Sequence, residues 1–170
     1  MLKGQDIVVL LKLCGLDGWT FASVGDELGL SASAVHRSLG RASEAGLYDP
    51  VLRRVHAAQL HEFLVHGLRY SFPPVMLGEA RGIPTGWAAA PLAERLAPQS
   101  SLPPVWPHPL GRERGIGLEP IHPVVPDAAQ RDPKFGERLA LIDAIRIGDA
   151  RIRAIAADEL EQRLMPAAVA

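Results

Sequence analysis

Arginine side chains concentrate in one part of this 170-residue chain, between residues 37 and 54. That segment holds four arginines and only two carboxylates, although the whole chain has a net charge of −1. A guanidinium group can donate paired hydrogen bonds to a guanine edge or to a phosphate, and a serine hydroxyl can bond to either. The local excess of positive charge therefore indicates contact with nucleic acid. The alternative is that these are ordinary solvated charges on a helical surface.

The elements that would position these side chains lie in residues 21–47. Apolar residues recur four apart before a short turn (Val24, Leu28) and again after it (Val35, Leu39), which predicts two helices. Gly29 lies in the turn, where a left-handed backbone conformation is cheap only for glycine. Two helices joined by a tight turn form a helix-turn-helix, whose second helix enters the DNA major groove.

The second of these helices is predicted to span residues 32–45. Ser33 and Arg37 lie on its outer face near the N-terminus, where side chains reach base edges, and His36 is a further candidate. Arginines placed later in the chain are better suited to phosphate contacts, which fix register without reading sequence. The predicted DNA-binding residues are Ser31, Ser33, His36, Arg37, Arg41, Arg53 and Arg54.

The rest of the pattern predicts a mainly α fold with three parts. Residues 1–72 are predicted to be a winged helix-turn-helix domain, with helices in residues 1–15 and 56–70 and a reduced wing in residues 47–55. Asp49-Pro50 is a turn signal within that wing. Residues 73–131 are predicted to be an extended Pro/Gly-rich arm, and residues 132–165 a helical hairpin.

The arm combines many prolines and glycines with large apolar side chains. The prolines rule out long helices, but a solvated linker would not carry Trp87, Trp106 and so many aliphatic residues. We therefore expect an irregular segment that packs on its own domain, on a second subunit or on a protein partner.

The C-terminal hairpin is predicted from its caps. Asp132 precedes Pro133, Gly148 ends the first helix, and Asp149 can cap the second. Two antiparallel helices with apolar faces leave two hypotheses open. The apolar stripe forms a dimer interface, as regulators with two recognition helices require, or it completes the core of the monomer.

Motifs of enzymes and of metal or cofactor sites are missing from the sequence, which predicts neither catalysis nor a cofactor. His56, His61 and His66 are five apart and so do not share one helix face. The single Cys14 excludes an internal disulfide and fits a reducing compartment. The apolar run at residues 7–13 is too short for a membrane span. We expect a cytoplasmic protein without a membrane partner.

The segment WTFASVGDELGLSASAVHRSLGRASEAGLYDP resembles the winged helix-turn-helix domain of MarR-like bacterial transcriptional regulators. The resemblance covers about residues 2–70 and is most specific in LGLSASAVHRSLGRASEAGL. It implies a sequence-specific regulator that binds double-stranded DNA as a homodimer, with Ser31, Ser33, His36, Arg37 and Arg41 facing the DNA. Residues 73–132 match no effector domain of that family. The alternative is an antitoxin or adaptor that wraps a protein partner with the arm between Trp87 and Trp106 and uses its helix-turn-helix for autoregulation.

Overall fold

A computed structural model describes residues 1–166 as a mixture of helices and small sheets. The helices are α1 (Gly4–Leu13), α2 (Phe21–Leu28), α3 (Ala32–Glu44), α4 (Ala57–His66), α5 (Leu68–Ser71), α6 (Val125–Arg131), α7 (Pro133–Ile147) and α8 (Ala150–Leu164). The strands are β1 (Tyr48–Asp49), β2 (Arg54–Val55), β3 (Met76–Pro84), β4 (Pro104–Pro107) and β5 (Glu113–Leu118). Helices dominate, as the sequence predicted. None of those in residues 1–166 is both long and apolar enough to cross a membrane.

Helix α1 lies at the centre of the molecule, between α3 on one side and α7 on the other. Its residues from Ile7 to Leu11 have no exposed surface, because a helix that is apolar nearly all round must be covered nearly all round. Asp6 and Lys12 of α1 are charged, yet both are buried and ion-paired. The two charges therefore join α1 to its neighbours.

Helices α2 and α3 begin and end where the sequence predicted. The Thr20 hydroxyl accepts a hydrogen bond from the Ser23 N–H at 2.9 Å, and Ser31 caps α3 by accepting from Ala34 at 3.1 Å. Gly29 has φ +76°, the left-handed conformation expected of it. A Cβ on Gly25 would collide with the carbonyl oxygen of Leu30, so glycine is what lets the turn close against α2.

A short hairpin follows α3 at the position predicted for a reduced wing. Strands β1 and β2 pair antiparallel through Tyr48–Val55 and Asp49–Arg54. One carboxylate oxygen of Asp49 accepts hydrogen bonds from the backbone N–H groups of Val51 and Leu52, at 2.8 and 3.0 Å. These bonds from Leu52 and Val51 lower the pKa of Asp49, so the carboxylate holds the tip of the hairpin in its ionised form.

Residues 73–131 are not mostly irregular, which corrects the sequence prediction. Strands β3, β4 and β5 close on one another, with β3 antiparallel to both partners and β4 parallel to β5. We call these three strands the β-unit. Glycines allow so tight a closure: a Cβ on Gly82 would collide with the Trp106 carbonyl oxygen, and one on Gly115 with that of Pro103. The same glycines and prolines that suggested an irregular arm are therefore what permits the strands to meet.

A buried polar network attaches the β-unit to α7. Asp143 accepts hydrogen bonds from the Thr85 hydroxyl (2.8 Å), the Trp106 indole N–H (2.7 Å) and the Arg146 guanidinium (2.9 Å). Arg146 also donates to the carbonyl oxygens of Phe72 and Pro73. Burial raises the pKa of Asp143, and the three donors oppose that shift. A buried carboxylate is tolerable only because it is fully hydrogen-bonded.

The predicted C-terminal hairpin is present as α7 and α8. Asp132 caps α7 through the Phe135 N–H at 3.2 Å, and Asp149 caps α8 through the Ile152 N–H at 2.9 Å. The apolar stripe of the two helices is covered within the chain itself, including Leu139, Ile142 and Leu160, which are at most 1% exposed. The burial therefore favours the hypothesis that the stripe completes the monomer's core. It does not favour the hypothesis that the stripe forms a dimer interface.

Candidate nucleic-acid interface

The outer face of α3 is open to solvent and carries three of the predicted contact residues. Ser33, His36 and Arg37 are all exposed. The Arg37 guanidinium lies 3.4 Å from the Ser33 hydroxyl, one helical turn earlier, and no ion-pair partner holds it within residues 1–166. Ser31 caps the helix, and its hydroxyl lies 3.2 Å from that of Ser33. Arg37 is thus an exposed guanidinium donor on a capped helix and can reach a new acceptor.

Aromatic side chains that the sequence analysis did not single out support this face. The His36 ring meets the Phe21 ring edge to face, with centroids 5.2 Å apart. Phe21 in turn meets Trp19 at 5.8 Å. These contacts connect α3 to the first residue of α2 and to Trp19 before it.

Arg53 lies on the same aromatic pair. Its guanidinium stacks 4.3 Å from the Trp19 ring centroid and donates to the Trp19 carbonyl oxygen at 3.3 Å. Its φ of +52° is unusual for a residue with a side chain, and the stacking and hydrogen bonding offset the cost of that conformation. Arg53 remains exposed, as does the neighbouring Arg54. Both side chains are therefore accessible for the phosphate contacts predicted for them.

A groove of about 390 Å³ separates α3 from the hairpin and joins these features into one surface. Phe21, His36 and Tyr48 line it, with Arg53 on the hairpin side. Gly40 lies on the helix side, and a Cβ there would meet nothing within 4 Å. We call the outer face of α3, this groove and the hairpin together the α3 surface. It is basic on both edges, with Arg37 on α3 and Arg53 and Arg54 on the hairpin.

Arg41 does not belong to this surface, which corrects its prediction as a DNA contact. Its guanidinium donates two hydrogen bonds to the Asp6 carboxylate, at 2.9 and 2.7 Å, and Asp6 is fully buried. These bonds from Asp6 raise the pKa of Arg41. A bidentate pair of this kind holds the side chain against α1, so the basic cluster on the surface consists of Arg37, Arg53 and Arg54.

The sequence contained a signal for this pairing. Asp6 precedes the most apolar stretch of α1, and a carboxylate on a buried face requires a partner of opposite charge. The signal does not say which arginine supplies it. Helical spacing placed Arg41 on the outer face one turn beyond Arg37, but its guanidinium is bonded to Asp6 of α1.

The two tryptophans in residues 73–131, Trp87 and Trp106, have different environments. Trp106 is buried and bonded to Asp143, so it cannot contact a partner. Trp87 is half-buried, with part of its surface in a cavity beside the β-unit. Of these two tryptophans, Trp87 is therefore the one that is accessible to a protein partner, as the hypothesis of a wrapping arm requires.

Comparisons of the chain with models of known protein families, with curated proteins and with solved structures give no match.

Proposed function

We propose that this protein is a sequence-specific transcriptional regulator that binds double-stranded DNA through the α3 surface. The observation that carries the proposal is the exposed Ser33–Arg37 pair on a capped helix that follows a tight turn. Helices presented in this way dock in the major groove with their N-terminal residues at the base edges. The MarR-like resemblance of residues 2–70 points to the same function and to a bacterial, cytoplasmic setting.

The contacts divide by what each side chain can reach. Arg37 is suited to a bidentate contact with guanine, with Ser33 and His36 beside it. Arg53 and Arg54, on the hairpin, are suited to phosphates flanking the groove. Ser31 caps α3, and its hydroxyl lies beside that of Ser33. Arg41 bonds to Asp6 and so connects α3 to α1.

A homodimer is part of the proposal, because two recognition helices read two half-sites. The α7–α8 stripe is covered, so the dimer must use another surface. Large apolar side chains are exposed where α5 leads into β3, and they are the residues available for it. They comprise Tyr70, Val75, Met76 and Leu77.

The proposal is tested by selecting bound duplexes from a random-sequence pool and measuring affinity for an enriched duplex by fluorescence anisotropy. We expect Arg37→Ala to weaken binding by roughly 5- to 150-fold per half-site, because the change removes one good bidentate base contact from each protomer of the dimer. The matched control is Arg151→Ala, which removes an exposed arginine from α8 and should leave the affinity unchanged. Failure to enrich any duplex at low salt, or equal losses in the two variants, would contradict the proposal.

A further inference from the structure

A cavity of about 480 Å³ lies beside the β-unit and away from the α3 surface. Its walls come from the segment between β3 and β4 and from the first residue of β5. Most of the lining is apolar and includes Trp87, Leu96, Pro84 and Pro103. Its volume falls in the range of cavities that bind small molecules, and the indole supplies a flat apolar wall.

The part of the cavity wall around Trp87 is held in place. Thr85 is bonded to buried Asp143, and the following turn, Gly86–Ala88, packs on α7. Trp87 and Leu96 each pack on the core with their other side. Arg95 forms an ion pair with Glu159 of α8, which ties down the second short turn, Leu92–Glu94. A wall that is fixed in this way needs little ordering when a ligand enters.

The charge of the cavity comes from one side chain. Glu113 is the one ionisable residue among those that line it. Within residues 1–166 no lysine, arginine or histidine forms an ion pair with its carboxylate. The neighbouring carboxylate of the sheet, Glu79, is by contrast paired with Arg114. An indole face and an unpaired carboxylate in one cavity both attract a cation, the first through its π electrons.

We propose that this cavity binds a small organic cation with an apolar body, of the alkyl- or arylammonium class. The apolar body packs on Trp87 and the flanking prolines, and the ammonium group faces Glu113. A neutral molecule of the same shape keeps only the apolar contact, and an anion meets repulsion from the carboxylate. The site is separate from the α3 surface, so the inference does not depend on the protein's binding DNA.

The test uses the full chain and three probes that share a benzyl or phenyl group: benzyltriethylammonium, benzyl alcohol and benzoate. Titrations are followed by the indole N–H resonances of the tryptophans in ¹H–¹⁵N NMR spectra, with Trp87→Phe assigning the relevant peak. We expect benzyltriethylammonium to shift the Trp87 resonance and to bind about fivefold or more tightly than benzyl alcohol. Benzoate should bind more weakly than either.

Glu113→Gln removes the charge from an exposed side chain that makes no hydrogen bond in the described structure, so folding is not at risk. This variant should lose the preference for the ammonium probe and keep the binding of benzyl alcohol. Glu119→Gln, an exposed carboxylate just beyond β5, is the matched control and should retain the preference. Equal affinity for the charged and neutral probes, a Trp87 resonance that does not move, or an unchanged preference in Glu113→Gln would each overturn the assignment.

Discussion

The pair formed by Asp6 and Arg41 decides where one of the four clustered arginines points. Asp6 also accepts a hydrogen bond from the backbone N–H of Lys3 at 2.8 Å, so its carboxylate joins the start of α1 to α3. The position of α3 on α1, and with it the α3 surface, depends on this buried carboxylate.

Asp6→Asn should therefore destabilise the fold. Removing one member of a buried pair leaves the other without compensation, which costs about 3 kcal/mol. Some relief comes from solvent, because the Arg41 side chain is 22% exposed. Urea unfolding of Asp6→Asn beside Asp26→Asn, an exposed carboxylate on α2, measures the difference. A loss no larger than that of the control would show that the pair contributes nothing.

Cys14 gives a prediction with a defined pH window. Burial raises the pKa of the Cys14 thiol to about 11 from an ordinary 9.0, with Arg138 opposing the shift. Because the unfolded chain releases this proton more readily, the stabilisation is complete below pH 9 and is lost as the pH rises toward 11. The free energy of unfolding should fall more steeply between pH 9 and 11 in the wild type than in Cys14→Ala.

The same shift makes the thiol slow to react. At pH 8 the folded protein should hold roughly 100-fold less thiolate than an ordinary cysteine, since two pKa units separate them. Alkylation by iodoacetamide, followed by mass spectrometry with and without urea, checks this. Labelling of the folded chain at the rate of the unfolded chain would contradict the burial of Cys14.

Two glycines of β3, Gly78 and Gly82, should differ in how well they tolerate a side chain. Gly82 lies where β3 meets β4, and a Cβ there would collide with a backbone carbonyl, whereas a Cβ on Gly78 meets nothing within 4 Å. Gly82→Ala must push the strands apart and should cost about 1–3 kcal/mol or more. Gly78→Ala should be close to neutral. Thermal unfolding of the two variants distinguishes these outcomes, and equal melting temperatures would contradict the closed β-unit.

Most of the helices could be predicted from sequence because their determinants are local, but α6 was missed, since it lies in residues 73–131, which were predicted to be irregular. Apolar spacing, the caps Thr20, Ser31, Asp132 and Asp149, and the left-handed Gly29 all lie within a few residues of what they specify. The β-unit could not be predicted in this way, because β3 pairs with residues more than twenty positions away and its strands are poor in β-branched residues. The hairpin of β1 and β2 lies directly after α3, at the position predicted for the reduced wing.

The part of the candidate site that lies on α3 was predictable from the sequence. Ser33, His36 and Arg37 lie on the exposed face of α3 as their spacing predicted. The partner of Arg41 and the aromatic support of Arg53 were not predictable, since both depend on side chains brought together by tertiary packing. The contact of Ser33, His36 and Arg37 with DNA remains a prediction.

At the scale of the whole molecule, a net charge of −1 leaves the three surface arginines as the main source of attraction to DNA. A dimer in which Arg53 and Arg54 each neutralise a phosphate, while Arg37 meets a base, should release about four counterions. The slope of log K against log salt concentration should then be about −4. Arg54→Ala should reduce its magnitude by about 2. A slope unaffected by this change would exclude Arg54 from the interface.

In the proposed complex, the N-terminal part of α3 lies against DNA. The most direct measurement is photo-crosslinking to an enriched duplex, with p-benzoylphenylalanine placed at Ser33 in one variant and at Gln162, exposed on α8, in another. We expect a protein–DNA adduct from position 33 and none from position 162. Equal yields from both positions, or no adduct from position 33 under conditions where anisotropy shows binding, would contradict it.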